Sequence, residues 1–273
     1  MQSVPPHISL ASGGFAGLCV DVALFPLDTV KTRLQSPHGF VKAGGFTGVY
    51  NGLSAAAGGS MPSAGLFFCT YESVKPHVAA ALGSSNAAAA QAVAASVAET
   101  AACLVRVPTE VVKQRMQIGE FASLRQALPT ILKTEGVGRL YSGFGVTIMR
   151  DIPFSCIQFP IYEGLKVAWA RAQGGETSAL QGAACGSLAG GVAAAATCPL
   201  DVVKTRLMLG ADKHGVAYAS ARDVVGRVVR DEGAATLLSG IQPRVGWTTV
   251  GGFVFFGAYE FAKKSLLPVS QAE

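Results

Sequence analysis

Three segments set an acid two residues after a proline and a base three residues beyond the acid: Pro26-Leu-Asp28-Thr-Val-Lys31, Pro108-Thr-Glu110-Val-Val-Lys113 and Pro199-Leu-Asp201-Val-Val-Lys204. A further base follows each, Arg33, Arg115 and Arg206. A second set places a lysine three residues after a glutamate that follows a tyrosine: Glu72 and Lys75, Glu163 and Lys166, Glu260 and Lys263. Opposite charges at that spacing share one face of a helix, so the chemistry they offer is ion pairing. In hydrocarbon an ionised side chain at mid-helix costs at least about 2.5–3.5 kcal/mol and is kept only where it meets a partner or water. A pair within each helix would meet that need. Threefold recurrence favours a ring, in which the acid of one helix meets the base of the next.

The elements that carry these charges repeat as well. The proline motifs lie 82 and 91 residues apart, so the chain reads as one unit of about 90 residues used three times. Half of the residues are hydrophobic and 14% are charged, against about a quarter charged in a soluble domain. Apolar stretches long enough to cross about 30 Å at about 1.5 Å per residue fall near residues 8–34, 53–76, 87–115, 144–169, 178–206 and 241–267. The expected fold is an all-α membrane protein of six transmembrane helices, in three pseudo-symmetric repeats spanning residues 1–80, 81–173 and 174–273. Each repeat is two helices and a link.

Six spans put both termini on one side and the three links on the other. The links and the helix ends feeding them hold 14 of the 22 Lys and Arg, which marks theirs as the positive-inside face. The net charge of +5 is then a matter of topology, and with no basic cluster or aromatic platform no nucleic-acid partner is expected. Met1–His7 carries no Lys or Arg and no apolar run, so any import signal is expected to be internal. The six cysteines fall within apolar spans without Cys-x-x-Cys spacing, and the four histidines are scattered. No metal, no cofactor and no catalytic constellation is expected, hence no enzyme.

Three copies of Pro-x-acid-x-x-base-x-base, each followed by Tyr-Glu-x-x-Lys, resemble the mitochondrial carrier family over essentially the whole chain. The resemblance implies a six-helix barrel around a water-filled cavity, closed by an ion-pair ring at each end and opened alternately to the matrix and the intermembrane space. It implies a matrix ring of Asp28 with Lys113, Glu110 with Lys204 and Asp201 with Lys31. The opposite ring would join Glu72 with Lys166, Glu163 with Lys263 and Glu260 with Lys75. The family often braces the matrix ring with a glutamine two residues beyond the second base; Gln35 and Gln117 match and Met208 does not, so at most two braces are expected. Inner-membrane location, termini toward the intermembrane space, lipid partners such as cardiolipin and a monomeric state follow from the same likeness.

Substrates lack threefold symmetry, so residues that break the repeat are the site candidates. Asp21 stands against Cys103 and Ala194, and Glu99 against Gly17 and Gly190. Thirteen residues before each glutamate of the second set lie Gly59, Arg150 and Trp247, at the level where the resemblance implies substrate contact. Arg150 with Asp151 could clamp a carboxylate and take an ammonium, Trp247 could stack on a ring or cation, and Gly59 would leave room for a bulky ligand. Acids in excess, one clamp and one aromatic plate suit a cationic amino acid joined to a flat heterocycle. The stretches 25–40, 150–160 and 251–260 are similar to family members that carry S-adenosylmethionine, as is the short first link, where Lys42-Ala-Gly-Gly-Phe46 would replace part of an amphipathic helix. The likeness implies import of S-adenosylmethionine in exchange for S-adenosylhomocysteine. A carrier of basic amino acids or of another adenine-containing metabolite is the alternative within transport, and a non-transporting receptor or scaffold the alternative outside it.

Overall fold

The computed structural model describes residues 22–82, 87–175, 177–251 and 253–254, and among these the chain is helical with one isolated β-bridge, Ala211 to Ala217. The helix α1 covers 22–35 of the described residues, followed by the short α2 (Gly39–Lys42) and the long α3 (Leu53–Leu82). The second repeat supplies α4 (Ala87–Gln117), α5 (Leu124–Thr134), α6 (Val137–Leu140) and α7 (Phe144–Gln173). The third supplies α8 (Ala179–Ala196), α9 (Cys198–Leu209), α10 (Ala221–Asp231), a 3₁₀ turn (Ala234–Leu238) and α11, described over 241–251.

Four of the six expected spans can be compared in full. Those at 53–76, 87–115 and 144–169 match α3, α4 and α7, which run on to Leu82, Gln117 and Gln173. The span at 178–206 does not hold as one helix. It breaks at Thr197 into α8 and α9, bent by 66°, with Pro199 at the start of α9, where its missing N–H costs nothing. That bent pair is long and apolar enough for a membrane crossing, whereas among the described residues no single helix is. The reason is visible in α3 and α4: each devotes one face to small or charged residues, such as Ser60 and Ser63 or Glu99, Arg106 and Lys113, which dilutes its mean hydropathy.

The packed cores sit at the link end. Val107, Val111, Val112 and Met116 of α4 bury against Ala127 and Ile131 of the amphipathic α5. Val203 and Leu207 of α9 do the same against Val224 and Val228 of α10. The first link has no such helix. Only the four-residue α2 and glycine-rich turns replace it, as Lys42–Phe46 suggested.

This asymmetry is repaired by one side chain per repeat. Arg115 forks onto Glu135 at 2.5 and 2.8 Å, and Arg206 onto Glu232 at 2.8 and 2.7 Å. Bidentate pairs of this kind hold planar geometry as well as charge, and each ties a long helix to its link. The first repeat has no such acid, so Arg33 donates instead to the carbonyls of Gln117 at 2.8 Å, Gly45 at 2.7 Å and Thr47 at 2.6 Å.

Closure of the repeats on one another is read from three glycines. Each opens an even-numbered span with positive φ and lies against the backbone of the next repeat. A methyl group on Gly52 would sit 2.8 Å from the Lys113 carbonyl oxygen, one on Gly143 3.6 Å from that of Lys204, and one on Gly240 3.3 Å from that of Lys31. Repeat 1 thus meets repeat 2, repeat 2 meets repeat 3, and repeat 3 returns to repeat 1.

Candidate functional site

At the link end of the long helices, three cross-repeat ion pairs form a ring. Lys113 Nζ lies 2.7 Å from Asp28, Lys204 Nζ 2.5 Å from Glu110 and Lys31 Nζ 2.6 Å from Asp201. Gln117 donates to Asp28 at 2.9 Å and Gln35 to Asp201 at 3.1 Å. Each glutamine is itself fixed by a threonine hydroxyl that donates to its amide oxygen, Thr32 at 2.9 Å and Thr205 at 2.7 Å. At the third interface Met208 offers no hydrogen bond, and Gln114, which stands where Thr32 and Thr205 stand, keeps a buried Oε1 with no partner.

Among the described residues no cross-helix pair of the opposite ring is formed. Glu260 and Lys263 lie outside the described residues, so the one pair that can be checked is Glu72 with Lys166, and no ion pair joins them. Lys166 turns back to Glu163 of its own helix at 3.6 Å and over the Tyr162 ring, while Lys75 lies over Tyr71. The expected Glu72–Lys166 contact is therefore corrected to an intrahelical arrangement in this conformation. The physical reason is spacing: residues three apart are neighbours on one helix whatever the barrel does, whereas cross-helix partners meet only when that end closes.

Above the closed ring, α3 and α4 enclose a cavity of about 420 Å³ lined by Gly59, Ser63 and Phe67 on one side and Glu99, Arg106 and Lys113 on the other. That volume falls within the range of small-molecule sites, about 300–1,000 Å³. Of the candidate contacts, Gly59 and Glu99 line this cavity, whereas Arg150, Asp151 and Trp247 do not. Asp21 lies outside the described residues. Gly59 has a packing reason besides any room for ligand, because a methyl there would come within 2.4 Å of the Thr109 side chain. The aromatic rings at the cavity are Phe67 and Phe68, which meet edge to face, with Phe67 stacked on Tyr71.

The two halves of the site are joined by alternating charges. Arg106 pairs with Glu99 and reaches Asp151 at 3.3 Å; Arg150 pairs with Asp151 and reaches Asp201 at 3.4 Å; and Asp201 also holds Lys31 and Arg244. A continuous line therefore runs from the cavity wall on α4, through α7, to the ring. Arg106 and Arg244 were not among the site candidates. Both carried a signal, since each is an arginine in an apolar span without a repeat counterpart: Arg106 stands against Leu24 and Thr197, Arg244 against Ala56 and Thr147. Arg244 is buried and also donates to the Ala194 carbonyl at 3.0 Å and to Thr197 at 2.8 Å.

An apolar shell of packed helices, a charged interior and a ring at one end define a carrier. The mitochondrial carrier protein family matches residues 2–81, 84–172 and 175–270, and the chain belongs to that family. Its curated relatives include the mitochondrial S-adenosylmethionine carrier protein of Danio rerio, 50% identical over 95% of this chain and 97% of the relative. The protein of that name from Mus musculus is 48% identical over 96% of each chain, and a Drosophila melanogaster homolog is 48% identical over 94% of this chain and 92% of its own.

Proposed function

We propose that this protein is a multi-pass antiporter of the mitochondrial inner membrane that imports S-adenosylmethionine into the matrix and returns S-adenosylhomocysteine. It is a carrier, and its charges serve binding and gating rather than catalysis. Asp28, Lys31, Glu110, Lys113, Asp201 and Lys204 form the matrix gate with Gln35 and Gln117 as braces. Glu72, Lys75, Glu163, Lys166, Glu260 and Lys263 form the gate at the other end. With the first closed, we read the carrier as open toward the intermembrane space, the side on which the termini are expected.

The observation that carries the mechanism is the line of charges from Glu99 to Lys31. Substrate presents a carboxylate and an ammonium, and S-adenosylmethionine a sulfonium besides. When its carboxylate takes the Arg150 fork, Asp151 and Asp201 each lose a donor. Asp201 is nine-tenths buried or more, so losing a donor there weakens the ring at its most connected acid. Binding at mid-membrane is thereby converted into loosening of the matrix gate, and the lysines and glutamates at the far end are left to exchange partners and close.

Ligand-induced stabilisation tests the substrate assignment. A ligand that binds only the folded carrier raises its unfolding free energy by about 2.7 kcal/mol at one hundred times Kd. S-adenosylmethionine and S-adenosylhomocysteine should raise the melting temperature of the purified carrier, while arginine, lysine and ATP should not. A shift with a basic amino acid alone would replace the reading with the alternative cargo.

A further inference from the structure

The arginines of this chain fall into two kinds. Arg33, Arg115 and Arg206 are almost wholly buried and use two or three nitrogens each, on carboxylate forks or several carbonyls. They are fixed. Arg106 keeps 31% of its side chain exposed to the cavity, and its hydrogen bonds and ion pairs all come from one atom, Nη2. Its Nε is buried and has no partner, as is also true of Arg115 and Arg206, so the difference lies in the single nitrogen that Arg106 uses.

Three acceptors meet that one nitrogen: Glu99 Oε1, Cys103 Sγ at 3.0 Å and Asp151 Oδ2 at 3.3 Å. The acceptor atoms lie within 4.8 Å of one another. A planar guanidinium matches paired, parallel acceptors, whereas three acceptors converging on a point match a primary ammonium, which has three donors on one nitrogen. The seat stands beside the cavity lined by Glu99 and Arg106, and two carboxylates left there without a cation would be costly in a low-dielectric interior.

We propose that Arg106 is a resident cation: in the empty carrier its Nη2 holds the point between Glu99, Cys103 and Asp151 that the primary ammonium of the substrate takes during transport. Resting on the amino-acid-type cargo proposed above, this makes Arg106 a specificity-determining residue. Arriving ammonium displaces the guanidinium, which swings into the cavity, and the carboxylates are never left bare. Ligands without an ammonium leave Arg106 in place, so the competition with Arg106 weighs only on ligands that carry one.

Removing the competitor should tighten binding of ligands that carry the ammonium. With Arg106→Ala reconstituted at parental levels, S-adenosylhomocysteine should gain roughly tenfold in apparent affinity relative to its analogue with hydrogen in place of the amino group, the scale of one charge-assisted bond. Parallel change of both ligands would overturn the proposal and leave Arg106 as a pin between α4 and α7. A second arm is independent of the cargo: millimolar methylammonium should raise the melting temperature of purified Arg106→Ala and leave the parental protein unmoved. Failure of this arm, or stabilisation by a divalent metal ion in its place, overturns the ammonium seat. Failure of the parental protein to take up either adenosyl compound, with methylammonium still acting, would overturn the cargo and keep the seat. Should Arg106→Ala not reach the membrane, Arg106→Gln, which removes the charge and keeps much of the side chain, should shift the ligand ratio in the same direction, and an unchanged ratio overturns the proposal.

Discussion

Repeat symmetry would make Asp28, Glu110 and Asp201 interchangeable, but their surroundings do not. Asp201 is 2% exposed and is reached by Lys31 at 2.6 Å, Arg244, Arg150 at 3.4 Å and Gln35 at 3.1 Å. Asp28 is 21% exposed, with Lys113 at 2.7 Å and Gln117 at 2.9 Å; Glu110 is 24% exposed, with Lys204 at 2.5 Å. Asp201→Asn keeps the shape and removes the charge, leaving the buried Arg244 and the partly exposed Lys31 without their shared acid, a loss of about 3–5 kcal/mol. Asp28→Asn leaves Lys113, 21% exposed, to cavity water and should cost about 1–2 kcal/mol, whereas Glu110→Gln strands the buried Lys204 and should fall between the two. At about 2–4 °C per kcal/mol, the gap between Asp201→Asn and Asp28→Asn should be about 2–16 °C in melting temperature. Thiol-reactive dye fluorescence on purified protein reads this directly, since the chain has six cysteines to report unfolding. Equal losses in all three variants would refute the argument that Asp201 is the hub of the line of charges.

Met208→Gln should add the missing brace, its amide donating to Glu110 and its oxygen accepting from buried Gln114; we expect a rise of about 1 kcal/mol in stability and slower turnover, measured by melting and by initial exchange rate. Gly59→Ala should impair folding or transport through the 2.4 Å approach to Thr109, and adding Thr109→Ala should recover part of the loss, read as coupling between the two changes. Arg150→Ala should abolish exchange while leaving folded protein in the membrane, and Arg150→Lys should recover little for want of the fork.

Much of the architecture was legible because it is written three times. The repeat placed the long helices and set each ring acid beside the base of the next repeat, since one geometric rule serves every copy. The replacement of a link helix by Lys42–Phe46 was legible too, from glycine content and length. What escaped the sequence depends on single copies. The break at Thr197 turns on one local geometry that Pro26 and Pro108 do not share, as α1 and α4 run through their prolines. Arg106 and Arg244 were visible as unrepeated charges, but which acid each meets depends on the rotation of α4 and α11 against their neighbours, which periodicity leaves undetermined. Asp151 was read beside Arg150 as the acid that could take an ammonium, and its contact with Arg106 crosses from α7 to α4.

The most direct test of the account is counter-exchange by the purified carrier in liposomes. Vesicles loaded with unlabelled S-adenosylhomocysteine should take up labelled S-adenosylmethionine rapidly, vesicles loaded with buffer or with arginine should not, and Arg150→Ala should remove the difference between them. Uptake that ignores the internal compound would contradict exchange, and no uptake of S-adenosylmethionine from any loading would contradict the substrate itself.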